Sequence, residues 1–228
     1  MTPKTIIALS VGTTAMLILM LIISIKYRLK LWKSVPVAVI LTITGTIGTY
    51  IWFFVENSWF GGRSYYGAVF IVPVAFIVLS KLMRIPYGDI LDLCAPSECI
   101  MLAIMKYQCL IDGCCGGRVI YYATDGAEVL FPSQMVELVN ALVLVIVLMI
   151  MAFIPRFRGK LYPWYLVLYG VTRFVLNWFR ADNDPVLICL TRGCLWSLIA
   201  IFIGVLWLCD RRIAIIKVSK TTEQVPEE

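Results

Sequence analysis

The feature that constrains this chain most is a series of apolar runs, each close to the length of a bilayer crossing. They lie at about Thr5–Ser24, Pro36–Val55, Tyr65–Ser80, Gly88–Met105, Pro132–Ile154, Leu161–Phe179 and Cys189–Leu208. A helix rises about 1.5 Å per residue, so roughly 20 apolar residues cross a hydrocarbon core of about 30 Å. Within lipid the backbone must satisfy its own hydrogen bonds, which a helix does. The expected fold is therefore all-α integral membrane with seven transmembrane helices. Little is left for a soluble domain: 61% of the 228 residues are hydrophobic and 15% charged, against about half and about a quarter in soluble domains. We expect one transmembrane domain over residues 1–217 and a disordered tail over 218–228. The first run does not read as a signal peptide: only Lys4 precedes it, and basic residues rather than a small-residue cleavage site follow it.

The connections predict an orientation. Lys26, Arg28, Lys30 and Lys33 follow the first run, Lys81 and Arg84 the third, Arg156, Arg158 and Lys160 the fifth, and Arg211, Arg212 and Lys217 the seventh. Basic loops stay on the cytoplasmic side, so the N-terminus is expected outside and the C-terminus in the cytoplasm. The formal charge of +6 is then mostly topology, and no nucleic-acid partner is expected. Segment four is unusual. Asp89, Asp92, Pro96, Ser97 and Glu98 need protein or water around them, so it is expected to be broken or sheltered.

The chain has no histidine, which removes the commonest general base and metal ligand. No metal or cofactor is expected. Cys94/Cys99, Cys114/Cys115 and Cys189/Cys194 do not have the C-x-x-C spacing of a thiol oxidoreductase or zinc site. Those inside spans read as packing residues, and an outer-loop disulfide stays open.

The least membrane-like stretch is Lys106 to Arg118, with Gly113, Gly116, Gly117 and three cysteines between its two cations. Glycines permit sharp turns and close approach, and flanking cations suit a phosphate. Arg173 lies about twelve residues into segment six, roughly 18 Å deep and near the expected midplane. An unpaired arginine there costs from about 2.5 to over 10 kcal/mol. It suits either an ion pair with Glu137, Glu98 or Asp92, or a ligand anion. Tyr169, Asn177 and Arg180 share its helix face, and such a stripe implies a groove. Gln134 and Glu137, three apart after Pro132, suit either an ordinary helix start or a role orienting a site arginine. Gly61-Gly62-Arg63-Ser64-Tyr65-Tyr66-Gly67 reads equally as a turn with interfacial tyrosines.

Several stretches together resemble the prolipoprotein diacylglyceryl transferase family. They are Gly61–Gly67, Asp92-x-x-Ala-Pro96, Asp112-Gly-Cys-Cys-Gly-Gly117, Phe131-Pro-Ser-Gln-Met-Val-Glu137, Tyr169-Gly-Val-Thr-Arg-Phe-Val-Leu-Asn-Trp-Phe-Arg180 and Leu190-Thr-Arg-Gly193. The resemblance implies a multi-pass enzyme of the bacterial cell membrane. Such an enzyme moves diacylglycerol from phosphatidylglycerol to the lipobox cysteine sulfur of prolipoproteins and releases glycerol phosphate. It implies Arg173, Tyr169 and Tyr66 as catalytic, Lys106, Arg118, Arg180, Gly113 and Gly117 at the lipid phosphate, and Asp112, Gln134, Glu137 and Asn177 in support. Lys106 stands where the family usually has arginine, Tyr66 where many members have histidine, Cys109 where asparagine is common and Asn177 where glutamate is common. Partners implied are phosphatidylglycerol, lipobox peptides and membrane lipids. Two other classes are weighed against it: a non-catalytic phospholipid-binding protein of the same fold, and a membrane thiol oxidoreductase using Cys109, Cys114 and Cys115.

Overall fold

The computed structural model describes residues 3–59, 62–114, 116–122, 127–181, 185–187 and 190–209. The expected disordered tail, Cys115, Cys189 and Gly61 lie outside them. Seven helices form where the apolar runs predict them: α1 (Pro3–Lys26), α2 (Ser34–Asn57), α3 (Tyr66–Met83), α4 (Tyr87–Asp112), α5 (Ser133–Phe153), α6 (Leu161–Asn177) and α7 (Arg192–Cys209). Consecutive helices pack on one another. Two short antiparallel hairpins, β1 (Val119–Tyr122) with β2 (Glu128–Leu130) and β3 (Pro185–Leu187) with β4 (Leu190–Thr191), were not foreseen from the sequence.

Five helices are long and apolar enough to cross a membrane: α1, α2, α3, α5 and α7. Helix α6 is shorter, at 17 residues. Helix α4 carries Asp89, Asp92, Glu98 and Lys106 and is the inner element of the bundle. It runs unbroken through Pro96, and every residue from Asp89 to Cys99 is buried. The expectation of a broken segment four is thus corrected, and the sheltered reading describes it. Helices α1, α3, α5 and α6 surround it and keep Asp89, Asp92 and Glu98 from the outside.

One end of the bundle is closed by two of those carboxylates. The Asp89 Oδ2 atom accepts from Arg158 Nη2 at 2.8 Å, and Oδ1 from Arg158 Nε at 3.2 Å. Asp92 accepts from the Leu161 N–H at 2.9 Å, from the Gly159 N–H and from the Tyr27 hydroxyl at 2.9 Å. It thereby caps the first turn of α6, where a negative charge suits the helix dipole. Burial, and then the charge of Asp92, push the Tyr27 hydroxyl well above its usual range, so it stays a donor.

Helices α2 and α3 cross at a glycine pair. A Cβ on Gly67 would stand 2.0 Å from the Gly48 carbonyl oxygen, so only glycine lets these backbones meet, as small residues do between membrane helices. The contact fixes the start of α3 and sets Tyr65 and Tyr66 inward. Further along α3, Pro73 has no N–H, which leaves the Val69 carbonyl without its intrahelical donor; the Tyr162 hydroxyl donates to it at 2.9 Å.

Candidate functional site

At the opposite end of the bundle the charges do not balance. Glu137 opens the second turn of α5 and is 4% exposed. Its Oε1 atom is 2.7 Å from Arg173 Nη1 and 2.7 Å from Arg180 Nη1, and its Oε2 atom is 2.5 Å from Lys106 Nζ. Among the described residues one carboxylate thus faces three cations, from α4, α6 and the turn after α6, an excess of two positive charges within this cluster. All three cations are largely buried, with side chains 7% to 17% exposed. Each chain segment places its cation by local structure. Lys106 lies six residues before the end of α4. Arg173 lies four residues before the end of α6. Arg180 is held by an antiparallel bridge to Gly117.

The cations line a cavity of about 740 Å³. Its walls come from α1, α2, the start of α3, the second half of α4, the end of α6 and the start of α7, and Tyr66, Asp112, Tyr169, Asn177, Arg63 and Arg192 also face it. Among the described residues the buried Nε of Arg173 has no hydrogen-bond partner. Tyr66 donates to the Gly193 carbonyl at 2.9 Å or shares a hydrogen with Ser197 Oγ at 2.6 Å, which ties α3 to α7. The Tyr65 and Tyr66 rings both pack on the Tyr169 ring, at 5.3 and 6.1 Å between centroids. An anion entering here would meet fixed cations over an apolar, aromatic floor, where electrostatic attraction is stronger than in water.

The sequence-derived residues divide into two groups. Tyr66, Lys106, Asp112, Tyr169, Arg173, Asn177 and Arg180 come together on the cavity. The others stand behind it. Glu137 clamps the cations. Gln134 Nε2 donates to the Cys114 carbonyl at 2.6 Å. Arg118 Nε donates to the Arg180 carbonyl at 2.9 Å. Gly113 ends α4 with φ of 64°. A Cβ on Gly117 would stand 2.1 Å from the Phe131 carbonyl oxygen. The stretch expected to be a phosphate loop is therefore half helix and half scaffold: only its Lys106 end meets the cavity among the cations, and Arg118 and the glycines hold Arg180 in place.

Arg173 lies, as expected, about twelve residues into its helix, and α6 ends four residues beyond it at Asn177. Among its possible protein partners, Glu137 pairs with it and Glu98 and Asp92 do not. Glu98 instead sits among tyrosines, its Oε1 3.0 Å from the Tyr162 hydroxyl and its Oε2 3.0 Å from that of Tyr165. The sequence reading missed this cluster, although Tyr162, Tyr165 and Tyr169 recur at the three- and four-residue spacing that marks one helix face. Cys114, Cys94, Cys99, Cys194 and Cys209 form no disulfide among the described residues.

Comparison with known proteins points the same way. Residues 7–209 match the family model described as prolipoprotein diacylglyceryl transferase. Proteins named phosphatidylglycerol–prolipoprotein diacylglyceryl transferase are similar to the chain. The one from Teredinibacter turnerae is 29% identical over 167 residues, covering 68% of this chain and 58% of its own length. That from Hydrogenovibrio crunogenus is 31% identical over 165 residues, 66% of this chain and 62% of the relative. That from Geobacter sulfurreducens is 29% identical over 132 residues, 55% of this chain and 51% of the relative. The matches thus span between about half and 62% of these relatives' length.

Proposed function

Since the chain belongs to the prolipoprotein diacylglyceryl transferase family, we propose that it moves the diacylglyceryl group of phosphatidylglycerol onto a lipobox cysteine of a prolipoprotein. The sulfur attacks the glyceryl carbon, the carbon–oxygen bond breaks, and glycerol phosphate leaves with the electron pair. The reaction asks a protein to hold a phosphate, neutralise charge as it grows on the leaving oxygen, and favour the thiolate. Fixed cations in a pocket shielded from water serve all three needs.

One observation carries the reading: three cations converge on a single carboxylate at the edge of a cavity large enough for a lipid headgroup. Glu137 keeps the cations in place before substrate arrives, and the two surplus charges match a phosphodiester whose negative charge grows during transfer. Arg173, on the cavity wall, sets its charge against the phosphate. Lys106 adds charge without the two-pronged contact of an arginine. Tyr169 and Tyr66 wall the reacting end, and Asp112 and Asn177 complete the lining.

The loop charges support seven spans with the N-terminus outside and the C-terminus in the cytoplasm of a bacterial cell membrane. The cavity then opens toward the outer leaflet, where secreted prolipoproteins present their cysteine. The test is transfer from phosphatidylglycerol to a lipobox peptide by the purified protein. Arg173→Gln is expected to lower the rate by at least about 100-fold, the scale of losing one oxyanion donor, while the variant still inserts and stays folded. Normal transfer by that variant would remove the mechanism. Lipid binding without transfer by the unaltered protein would favour the non-catalytic reading.

A further inference from the structure

Glu98 is buried, lies on the cavity wall and has no lysine or arginine partner among the described residues. The ionisable groups facing it are Tyr65 from α3, Tyr162 and Tyr165 from α6, and Cys94 and Cys99 on its own helix. A carboxylate so placed costs stability unless it does something.

Hydrogen counting indicates what. The Tyr162 hydroxyl has one hydrogen and two neighbours, the Val69 carbonyl at 2.9 Å and Glu98 Oε1 at 3.0 Å. The Val69 carbonyl can only accept, and Pro73 has deprived it of its helix donor. With Glu98 ionised, the Tyr162 hydrogen serves the carboxylate or the carbonyl, and one of them goes without. With Glu98 protonated on Oε2, that hydrogen goes to the Tyr165 oxygen, Tyr165 donates to Tyr65, Tyr65 keeps its bond to the Glu98 main-chain carbonyl at 2.9 Å, and Tyr162 stays as it was, so the Tyr65–Tyr165 contact gains the hydrogen it otherwise lacks. The cluster therefore gains a hydrogen bond when a proton arrives and loses none.

The same cluster reaches the cavity. Tyr165 links Glu98 Oε2, at 3.0 Å, to the Tyr65 hydroxyl, at 3.1 Å, and Tyr65 lines the cavity with its ring against Tyr169, one helical turn from Arg173. We propose that Glu98, reached through the hydroxyls of Tyr65 and Tyr165, is the proton acceptor for the attacking thiol. The idea rests on the transferase reading. The S–H proton passes to Tyr65; Tyr65 turns its own hydrogen from the Glu98 main-chain carbonyl, 2.9 Å away, to the Tyr165 oxygen and hands it on, Tyr165 passes its proton to Oε2, and Glu98 ends as the acid. The sulfur lone pair forms the carbon–sulfur bond, the carbon–oxygen bond pair leaves with glycerol phosphate, and Glu98 later returns its proton through the cavity. The assignment answers a chemical gap, because a chain without histidine needs another base.

The test compares two acceptor peptides on the full-length purified protein with phosphatidylglycerol vesicles: a lipobox cysteine peptide and its selenocysteine counterpart, whose selenol is already ionised at neutral pH. Glu98→Gln keeps the side-chain shape and is expected to lower kcat for the cysteine peptide by about 100-fold or more, to leave KM for phosphatidylglycerol unchanged, and to flatten the acid limb of the pH–rate profile. The selenocysteine peptide is expected to recover most of the lost rate. An unchanged rate and pH profile would overturn the assignment, as would an equal loss with both peptides, which marks a structural role. Should Glu98→Gln fail to fold, Tyr165→Phe interrupts the same relay: a cysteine-specific loss supports the proposal, and a normal cysteine rate overturns it. Inactivity of the unaltered protein with both peptides would overturn the transferase reading itself, and the relay with it.

Discussion

The two ends of the bundle handle buried charge in opposite ways. At the Asp89/Asp92 end the two buried carboxylates are satisfied from within the chain: Arg158 grips Asp89 with two nitrogens, and Asp92 is enclosed by two backbone N–H groups and a tyrosine. At the Glu137 end one carboxylate faces three cations beside open space. A matched cluster closes a fold. An unmatched cluster suits a partner from outside, and the sign of its surplus is the ground for proposing an anion. The contrast separates scaffold from site more clearly than burial does, since Asp89, Asp92 and Glu137 are all nearly inaccessible.

Three substitutions would break or sharpen the contrast. The largest effect is expected for Glu137→Ala. It leaves three cations facing one another with no counter-charge, and breaking a buried ion pair from one side costs about 3–5 kcal/mol. The folded fraction in detergent, followed by thermal unfolding, is expected to collapse, and a phosphatidylglycerol-rich micelle to restore part of it, because the lipid phosphate replaces the lost charge. Equal instability with and without anionic lipid would argue against an anion site.

Next comes Asp92→Ala, which removes the cap of α6 and strands two N–H groups. The expected loss is about 1–3 kcal/mol, seen as a lower Tm that anionic lipid does not rescue, with transfer per folded molecule near normal. Lipid rescue here would erase the distinction between the ends. The smallest effect is expected for Arg158→Lys. The side chain is 41% exposed, solvent screens the pair, and replacing the two-pronged contact should cost under about 1 kcal/mol. A Tm shift comparable to that of Asp92→Ala would show the pair to be more deeply coupled than its exposure implies.

Local patterns carried much of this. Apolar runs gave seven helices to within a few residues, because a hydrocarbon-length run has few other ways to satisfy its backbone. The carboxylates and Pro96 of segment four required shelter, and α4 is indeed the innermost helix. Tyr169, Arg173 and Asn177 form a stripe on one face of α6 and reach the cavity, joined there by Arg180 from the turn after the helix rather than from its face. Other features lay beyond sequence reading. Lys106 and Arg118 flank one glycine-rich stretch symmetrically, yet α4 continues past Lys106 and delivers it to Glu137, while Arg118 turns to a backbone carbonyl. Nothing local distinguishes the two. Likewise Glu98, Asp92 and Glu137 were equal candidates to pair with Arg173, and the choice depended on which helices adjoin.

By itself the sequence determined that this chain is a bundle of apolar helices with too many buried charges to be inert, since residue type sets transfer free energy and periodicity sets the face. Only the tertiary structure decided which charges neutralise one another and which remain in excess. Coulombic pairing depends on separations of a few ångströms between residues tens of positions apart, and those separations are fixed by how α4, α5 and α6 pack.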